Sequence, residues 1–262
     1  MRKIKKINIE ATKKNYNSFF VDLGEQIIFT QKVVKQFFKP PYEHKELIKQ
    51  SYYIGNKTLP LIAITGFIMG LVLTMQTRPA LVDFGAQSLL PGMISLSIIR
   101  EIGPMITGLL CAGKISSGIA AEIGAMKVSE QIDAMEVSGT KPLGFVVASR
   151  VMSTTLLVPL LVFFADAFGF LGAFMGVNLN ETMTFKLFIN KAFEILEFTD
   201  IIPATIKSVF FGFFIGIIGS YKGYQASGGT ESVGLAANSA VVNASLTIFV
   251  IDLIAVLITN LL

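Results

Sequence analysis

The chain has 262 residues and a formal net charge of +4; 52% of its residues are hydrophobic and only 15% are charged. This balance excludes an ordinary soluble domain and indicates a polytopic membrane protein. The chain has one cysteine, Cys111, and one histidine, His44. An intrachain disulfide is therefore impossible, and we expect neither a metal site nor catalytic residues.

The first 57 residues form a basic region, with 12 of the 22 lysine and arginine residues and five acidic residues. Within it, residues 19–38 have apolar side chains at helical spacing, whereas Lys32, Lys35 and Lys39 fall largely on another side. This pattern predicts an amphipathic helix that lies in the membrane interface. The alternative is a solvated basic tail, which would not need the apolar spacing.

Five apolar segments follow, and each is long enough to cross a bilayer, which takes about 20 helical residues. They lie at residues 58–76, 93–113, 144–175, 203–221 and 235–260. We therefore treat residues 1–57 as a cytoplasmic or interfacial region and residues 58–262 as a single membrane domain. The positive-inside rule places the basic N-terminus in the cytoplasm, so five spans place the C-terminus outside.

The outer loop between the third and fourth spans has an amphipathic pattern. In the stretch TFKLFINKAFEILEF, residues 184–198, apolar side chains recur at helical spacing. This predicts a short helix at the outer surface. We favour packing of this helix against the spans over a binding role.

Residues 108–114, GLLCAGK, match the first seven positions of a phosphate-binding P-loop. However, Ile115 stands where serine or threonine would bind magnesium. No strand precedes the segment, and its glycines lie in a span. We therefore reject a nucleotide site here.

Small residues in the same region form a stripe along one side of a helix, because they recur every four positions. The stripe consists of Gly108, Ala112, Ser116, Ala120 and Gly124. Such a stripe lets two helix backbones approach closely in a membrane. The contact lies either within one chain or across a dimer.

Five charged residues interrupt the apolar spans: Arg100, Glu101, Asp166, Lys207 and Asp252. A charge at the bilayer centre costs about 2.5–3.5 kcal/mol on insertion scales, so such residues usually line a polar cavity or pair with one another. The alternative for each is snorkelling to the interface or a structural ion pair.

The stretch SIIREIGPMITG, residues 97–108, favours a polar cavity most strongly. Neighbours on a helix point about 100° apart, so Arg100 and Glu101 cannot both face one partner helix. Lys207 is a candidate partner for one of them, or a point charge for an anionic ligand. Pro104 is expected to bend the helix, with polar neighbours or water satisfying the freed carbonyl.

The polar segment 121–143 predicts a short cytoplasmic helix from Glu130, with Ser129 as its N-cap and Gly139 at its end. An exposed helix that mixes methionine, isoleucine and carboxylates is suited to docking into a partner's groove. The candidate docking residues are Met126, Glu130, Ile132, Asp133, Met135 and Glu136. The alternative is a solvated connector, which would not need the apolar side chains.

Three blocks of the sequence resemble the MlaE family of ABC-transporter permeases. They are IIREIGPMITGLLCAGKISSGIAAEIGAMKVSEQIDAMEVSG at residues 98–139, IKSVFFG at 206–212 and YKGYQASGGTESVG at 221–234. The first block is long and characteristic of the family. The resemblance covers roughly residues 45–262, and the residues before it are similar only in character.

The resemblance implies a homodimeric permease in the bacterial inner membrane that binds no cofactor itself and has no nucleic-acid partner. ATP and magnesium would bind a cytoplasmic ABC ATPase (MlaF-like), with residues 121–138 as the coupling helix. A periplasmic MCE-domain protein (MlaD-like) would sit on the outer face. The cargo would be phospholipid moved between the inner and outer membranes, with Arg100, Glu101 and Lys207 near a lipid cavity at the dimer interface.

A different class of transporter would also use buried charges, namely an ion-coupled secondary transporter of an anionic or amphipathic substrate. Such proteins usually contain internal repeats with broken helices in matching halves. The sequence shows no repeat, and five spans are too few for a duplicated fold. A membrane scaffold without transport would leave Arg100 and Glu101 unexplained.

Overall fold

The computed structural model describes residues 21–38, 44–179, 182–259 and 261, and these residues form helices without a β-strand. We number the helices α1 (residues 21–37), α2 (His44–Asp83), α3 (Gln87–Val128), α4 (Gln131–Val137), α5 (Leu143–Asn178), α6 (Phe185–Ile195), α7 (Phe198–Tyr224) and α8 (Thr230–Thr259). Five of them, α2, α3, α5, α7 and α8, are long and apolar enough to cross a membrane. The prediction of an all-α integral membrane protein with five spans is confirmed.

The spanning helices run further than the apolar segments that predicted them. α2 begins at His44 rather than at residue 58, and α3 continues to Val128 rather than ending near residue 113. Backbone hydrogen bonding continues where the side chains become polar, so hydropathy locates the membrane-embedded part of a helix better than its ends. The boundary predicted at residue 57 falls inside the continuous helix α2.

α1 packs against the C-terminal end of α7. Asp22 accepts hydrogen bonds from the Tyr221 hydroxyl at 2.7 Å and from the Lys222 ammonium group at 2.8 Å. Burial raises the pKa of the Asp22 carboxyl, but these hydrogen bonds outweigh burial and hold the pKa below its usual value. The predicted amphipathic helix is thus present, whereas residues 1–20 and Lys39 lie outside the described residues.

Glycines bring α2 and α5 into backbone contact. A Cβ atom added at Gly70 would lie only 2.7 Å from the carbonyl carbon of Gly169. One added at Gly172 would lie 2.8 Å from the carbonyl carbon of Phe67. Small residues permit this approach, and the helices gain van der Waals contact from it. The four-residue spacing of Gly66 and Gly70 already indicates such a contact in the sequence.

The small-residue stripe of α3 packs against α7 and α8 of the same chain. Its members and their neighbours are Gly108 with Phe211 and Ile248, Ala112 in the buried core, Ser116 with Gly219, Ala120 with Gly223, and Gly124 with Ala226 and Val233. A Cβ atom at Gly219 would lie 2.7 Å from the Ser116 carbonyl oxygen. The tight contact that the stripe predicts therefore lies within one chain.

α6 forms where the outer loop predicted an amphipathic helix. It begins after the N-cap Thr184, whose hydroxyl accepts the Leu187 amide hydrogen. Phe188 and Ala192 are buried, and the Phe188 ring lies against the ring of Phe174 on α5, with the centroids 5.6 Å apart. The prediction of a short helix that packs against the spans is confirmed.

The turn between α3 and α4 corrects the predicted start of the docking helix. Ser129 does not cap α4, because its hydroxyl donates to the Ala125 carbonyl at 2.7 Å and closes the end of α3. Glu130 is the N-cap, with a left-handed φ of 59°, and α4 begins at Gln131. Since α3 continues into the polar segment, the turn falls on the residues predicted to begin the helix. Gly139, with a φ of 82°, follows the end of α4 as predicted.

We expect Gly70→Ala to destabilise the folded chain by about 1–3 kcal/mol, because the new Cβ atom would push α2 away from α5. Thermal unfolding of the purified protein in detergent measures this loss. Gly234→Ala on α8 is the matched control, since no neighbouring atom lies within 4 Å of its added Cβ. The control should keep the parent stability or exceed it slightly, and equal losses in both variants would contradict backbone contact between α2 and α5.

Candidate functional site

Lys207 of α7 lies at the centre of an ionic cluster. Its ammonium group is 2.8 Å from a carboxylate oxygen of Glu101 on α3 and 2.9 Å from one of Asp252 on α8. The Lys207 side chain is only 4% exposed, whereas that of Asp252 is 13% and that of Glu101 44% exposed. Three of the five charges in the apolar spans thus meet at one point, and Glu101 is the most accessible of them.

Arg100, the neighbour of Glu101, pairs elsewhere. Its Nε atom donates to Asp200 Oδ1 at 2.6 Å, and a terminal guanidinium nitrogen contacts the same oxygen. Asp200 is buried in the first turn of α7, where its other oxygen accepts the Glu197 backbone N–H at 3.0 Å as part of a capping box. The Arg100 side chain is still 54% exposed. The adjacent charges on α3 therefore have separate partners, in accord with their angular separation.

A π-helical turn at Ile98–Ile102 carries both residues. The Gly103 amide donates to the Ile98 carbonyl, five residues earlier. Pro104 follows and has no N–H to offer the Arg100 carbonyl, so a regular α-helical ladder cannot pass this point. Such turns are rare and occur frequently at functional sites. Where the sequence predicted a bend, the structure has a widened turn directly before the proline.

A cavity of 590 Å³ opens between α3, α7 and α8 beside these charges. Its lining includes the charged residues Arg100, Glu101, Asp200 and Lys207 and the apolar residues Ile202 and Val256. Two carboxylates already compensate Lys207, so it is not an isolated point charge. Of the two cations in the lining, Arg100 is far more accessible to an anionic group than Lys207. Charged and apolar walls together suit a molecule with both a polar and an apolar part.

The family model of the permease MlaE matches residues 47–258. The chain belongs to the MlaE permease family. It is 35% identical over 241 residues to a probable ABC transporter permease protein of Rickettsia typhi, which covers 90% of this chain and 92% of that relative. The resemblance carried by the three sequence blocks is confirmed, and the matched range contains the whole charged cluster.

Two further relatives come from a bacterium and a plant. The chain is 32% identical over 209 residues to the intermembrane phospholipid transport system permease protein MlaE of Haemophilus influenzae, covering 79% of this chain and 80% of that one. It is 29% identical over 227 residues to the chloroplastic protein trigalactosyldiacylglycerol 1 of Arabidopsis thaliana, covering 87% of this chain and 65% of that one.

Asp200 is the charged residue of the cavity lining that hydropathy did not reveal. It lies at the end of the polar segment 178–200, which has the composition of an outer loop. The signal that locates it is local: Glu197 precedes it by three residues, directly before an apolar run, which is the spacing of a capping box. The carboxylate that caps α7 is therefore also the partner of Arg100.

Asp166 of α5 does not join the cluster. Its Oδ1 atom is buried and has no hydrogen-bond partner among the described residues. This oxygen lies against Gly103 of α3, at the place that a Cβ atom would occupy. The sequence pattern grouped Asp166 with the other charges of the spans, and the structure separates it from the cavity lining. Asp252, in contrast, is a structural ion-pair partner of Lys207.

The predicted docking helix α4 turns part of its apolar face toward its own chain. Ile132 is fully buried, and Met135 and Met126 pack against the same core. The expectation that Ile132 is exposed for a partner is wrong, because the tight turn before α4 folds this short helix back onto α3. Because the apolar face is buried within the chain, the α4 residues at the surface differ from the predicted docking residues.

The exposed surface of α4 is acidic, with one large apolar residue. Val137 is 91% exposed, and the sequence pattern did not single it out. Asp133 accepts from the Lys127 ammonium group at 2.6 Å, and Glu136 accepts from the Tyr224 hydroxyl at 3.2 Å. Val137 and these carboxylates are therefore the α4 groups that an approaching protein would touch.

We expect Lys207→Met to destabilise the fold by roughly 3–5 kcal/mol, because it leaves Glu101 and Asp252 without their cation. Adding Glu101→Gln and Asp252→Asn to the same chain should recover most of the loss, since no uncompensated charge remains. Thermal unfolding in detergent compares the three proteins. Parent-like stability of Lys207→Met would show that the cluster does not hold α3, α7 and α8 together. No recovery in the triple variant would show that the loss does not come from uncompensated charge.

Proposed function

We propose that this chain is the permease subunit of an ABC transporter that moves phospholipid between the inner and outer membranes. The observation that carries the proposal is the cavity of 590 Å³, which joins a charged cluster to apolar walls inside a membrane-spanning bundle. A phospholipid has the matching division into a charged headgroup and apolar chains. The phospholipid-transport name of the Haemophilus influenzae relative supports the same cargo.

A separate ABC ATPase (MlaF-like) would bind ATP and magnesium and supply the energy. The P-loop-like stretch GLLCAGK lies inside α3, where its backbone amides are committed to helical hydrogen bonds and are unable to cradle phosphates. The chain would bind neither cofactor and would perform no bond chemistry. Its part is to bind the lipid, orient it and release it.

Two copies of the chain would face each other across this cavity. α8 lines the cavity through Ala255 and Val256. Within the single chain, however, its buried residues are only Ala236, Ala240, Ala244 and Ile248. Large apolar residues such as Leu253 and Leu257 are exposed on it. A second copy of α8 would cover such a surface and enclose the lipid, which supports a homodimer.

The positive-inside rule orients the proposed assembly. The basic N-terminal region and α4 would be cytoplasmic, the C-terminus periplasmic, and the protein a multi-pass component of the inner membrane. Val137 and the exposed carboxylates of α4 would then contact the ATPase. α6 would lie at the periplasmic surface, where exposed Phe185 and Leu187 offer contacts to an MCE-domain protein (MlaD-like).

α3 would transmit movement between the ATPase contact and the lipid. Glu101 lies on the helix Gln87–Val128, which ends directly before the turn into α4. The small-residue stripe locks the second half of this helix to α7 and α8, so a displaced α4 would shift the cavity walls rather than α3 alone. Closure of the ATPase dimer would thus change the cavity shape and admit or release a lipid.

An ion-coupled secondary transporter is the second candidate, because charged clusters inside a membrane-spanning bundle, such as Lys207 with its two carboxylates, also line the ion pathways of such transporters. Such a transporter would work from an ion gradient and without ATP. Dependence of lipid transfer on ATP in a sealed, gradient-free vesicle therefore separates the two functions.

We expect Glu101→Gln to lower ATP-dependent lipid transfer by about ten-fold or more, the factor expected when one charged hydrogen bond is lost. Fluorescent phospholipid transfer from proteoliposomes that contain the permease, its ATPase and its MCE-domain partner measures the effect. Asp83→Asn, an exposed change at the end of α2, is the control. Full transfer by Glu101→Gln, in a complex that assembles normally, would contradict a role of the cavity in transport.

We expect Val137→Asp to fold normally but to weaken the stimulation of the ATPase, because the change lies on the exposed surface of α4. Ile132→Asp should instead unfold the chain, since a buried aspartate has no partner in this core. Thermal unfolding and ATPase assays on the same two complexes compare these outcomes. Normal ATPase coupling in Val137→Asp would exclude this surface as the docking site.

A further inference from the structure

A second group of cations lies between α2 and the half of α3 that leads to α4. A groove of 510 Å³ in this place is lined by Lys49, Lys57 and Lys114, by Tyr52 and Tyr53, and by apolar residues that include Ile115. No residue lines both this groove and the cavity beside Lys207. The groove is therefore a separate feature of the bundle.

Lys57 and Lys114 mark the depth at which the hydrocarbon of the membrane begins. Residues 58–76, directly after Lys57, carry no charge, and neither do residues 102–113, directly before Lys114. Tyr52 and Tyr53 are of the residue type that is enriched at membrane–water interfaces. The lysines thus lie at headgroup level, and the apolar wall of the groove continues from them into the hydrocarbon.

The two lysines have no carboxylate partner in the described part of the chain. The Lys57 ammonium group donates to the Tyr53 hydroxyl at 2.7 Å, and Lys114 donates to the backbone carbonyl of Lys57. Glu122 and Glu46 also line the groove. Buried Arg150 binds the Glu122 carboxylate at 2.6 Å, whereas Glu46 lies 4.0 Å from the Lys49 ammonium group and accepts a hydrogen bond from the Gln50 amide at 2.8 Å. Lys57 and Lys114 therefore share one rim, and neither forms an ion pair with a described carboxylate.

The backbone of α3 presents Lys114 in an unusual way. Lys114 lies in a second π-helical turn, Ala112–Ser116, just as Arg100 lies in the first. Gly113 and Gly118, on either side, have no atom within 4 Å of the position of an added Cβ, so this face of the helix is open. α3 thus uses the same device twice, once at the central cavity and once at the groove.

We propose that this groove binds the phosphate group of an anionic phospholipid from the adjoining leaflet, with Lys57 and Lys114 on the phosphate. The lysine ammonium is a point-charge donor that suits phosphate, and lysines at headgroup depth attract anionic lipids. The acyl chains lie along the apolar wall beside Ile115. A zwitterionic lipid binds less well, because its own cationic group meets the two lysines. The proposal rests on the proposed function only for the membrane setting of the chain.

A fluorophore on Asn56→Cys, an exposed position beside Lys57, reports lipid in the groove, while native Cys111 is buried and shielded from the label. The complete transporter complex is placed in phosphatidylcholine vesicles with a small share of spin-labelled phosphatidylglycerol or spin-labelled phosphatidylcholine. We expect phosphatidylglycerol to quench at concentrations roughly thirty-fold lower than phosphatidylcholine, the factor for two interfacial lysines. Lys57→Gln with Lys114→Gln should abolish this preference.

Lys141→Gln with Lys186→Gln, two exposed lysines outside the groove, is the matched control and should keep the full preference. Equal quenching by both lipids in the parent would overturn the proposal. So would the absence of quenching by either lipid, which would mean that protein covers the groove. Displacement of the spin-labelled lipid by inorganic phosphate would assign the site to free phosphate and overturn the lipid assignment.

Glu101→Gln in the same complex separates this proposal from the transport function. We expect it to reduce lipid transfer and to leave quenching at the groove unchanged. Normal quenching together with full transfer by Glu101→Gln would contradict the transport role of the central cavity but not lipid binding in the groove. Reduced transfer by Glu101→Gln, with no lipid preference at the label, would contradict only the proposed lipid site in the groove.

Discussion

Lys207 requires compensation where it lies, because a buried ammonium group inside an apolar bundle is costly unless carboxylates surround it. Glu101 and Asp252 supply that compensation from two other helices, at 2.8 and 2.9 Å. One ionic cluster therefore ties α3, α7 and α8 together at the depth of the cavity. Glu101 and its neighbour Arg100, which pairs with Asp200, both line the cavity in which an amphipathic cargo would lie.

The features that are predictable from the sequence are those that depend on short-range pattern. Charges are conspicuous inside apolar segments, so the amino-acid sequence alone is enough to identify Arg100, Glu101 and Lys207 as candidates. The four-residue stripe from Gly108 to Gly124 indicates a close helix contact. Helical spacing also predicts α6. Hydropathy predicts the number of spans correctly, but not their ends, since the helical ladder continues past the apolar residues.

The features that the sequence did not predict depend on tertiary placement. Asp200 lies in a polar stretch and becomes a partner of Arg100 only because α7 begins beside α3. The sequence does not distinguish an isoleucine that docks to a partner from one that packs in its own core. The turn at Glu130 directs Ile132 into the core of its own chain. The spacing of the stripe does not predict which helices it contacts. In the structure it contacts Gly219 and Gly223 of α7.

The central claim is that lipid occupies the space beside Lys207 during the ATP cycle. A photoreactive residue at Val256, which lines this cavity, tests it in the reconstituted complex, with Leu160, an exposed residue of α5, as the reference position. We predict that phospholipid cross-links to Val256, that trapping the ATP-bound state changes its yield, and that the yield at Leu160 stays constant. Equal cross-linking at both positions, unaffected by ATP, would contradict the account.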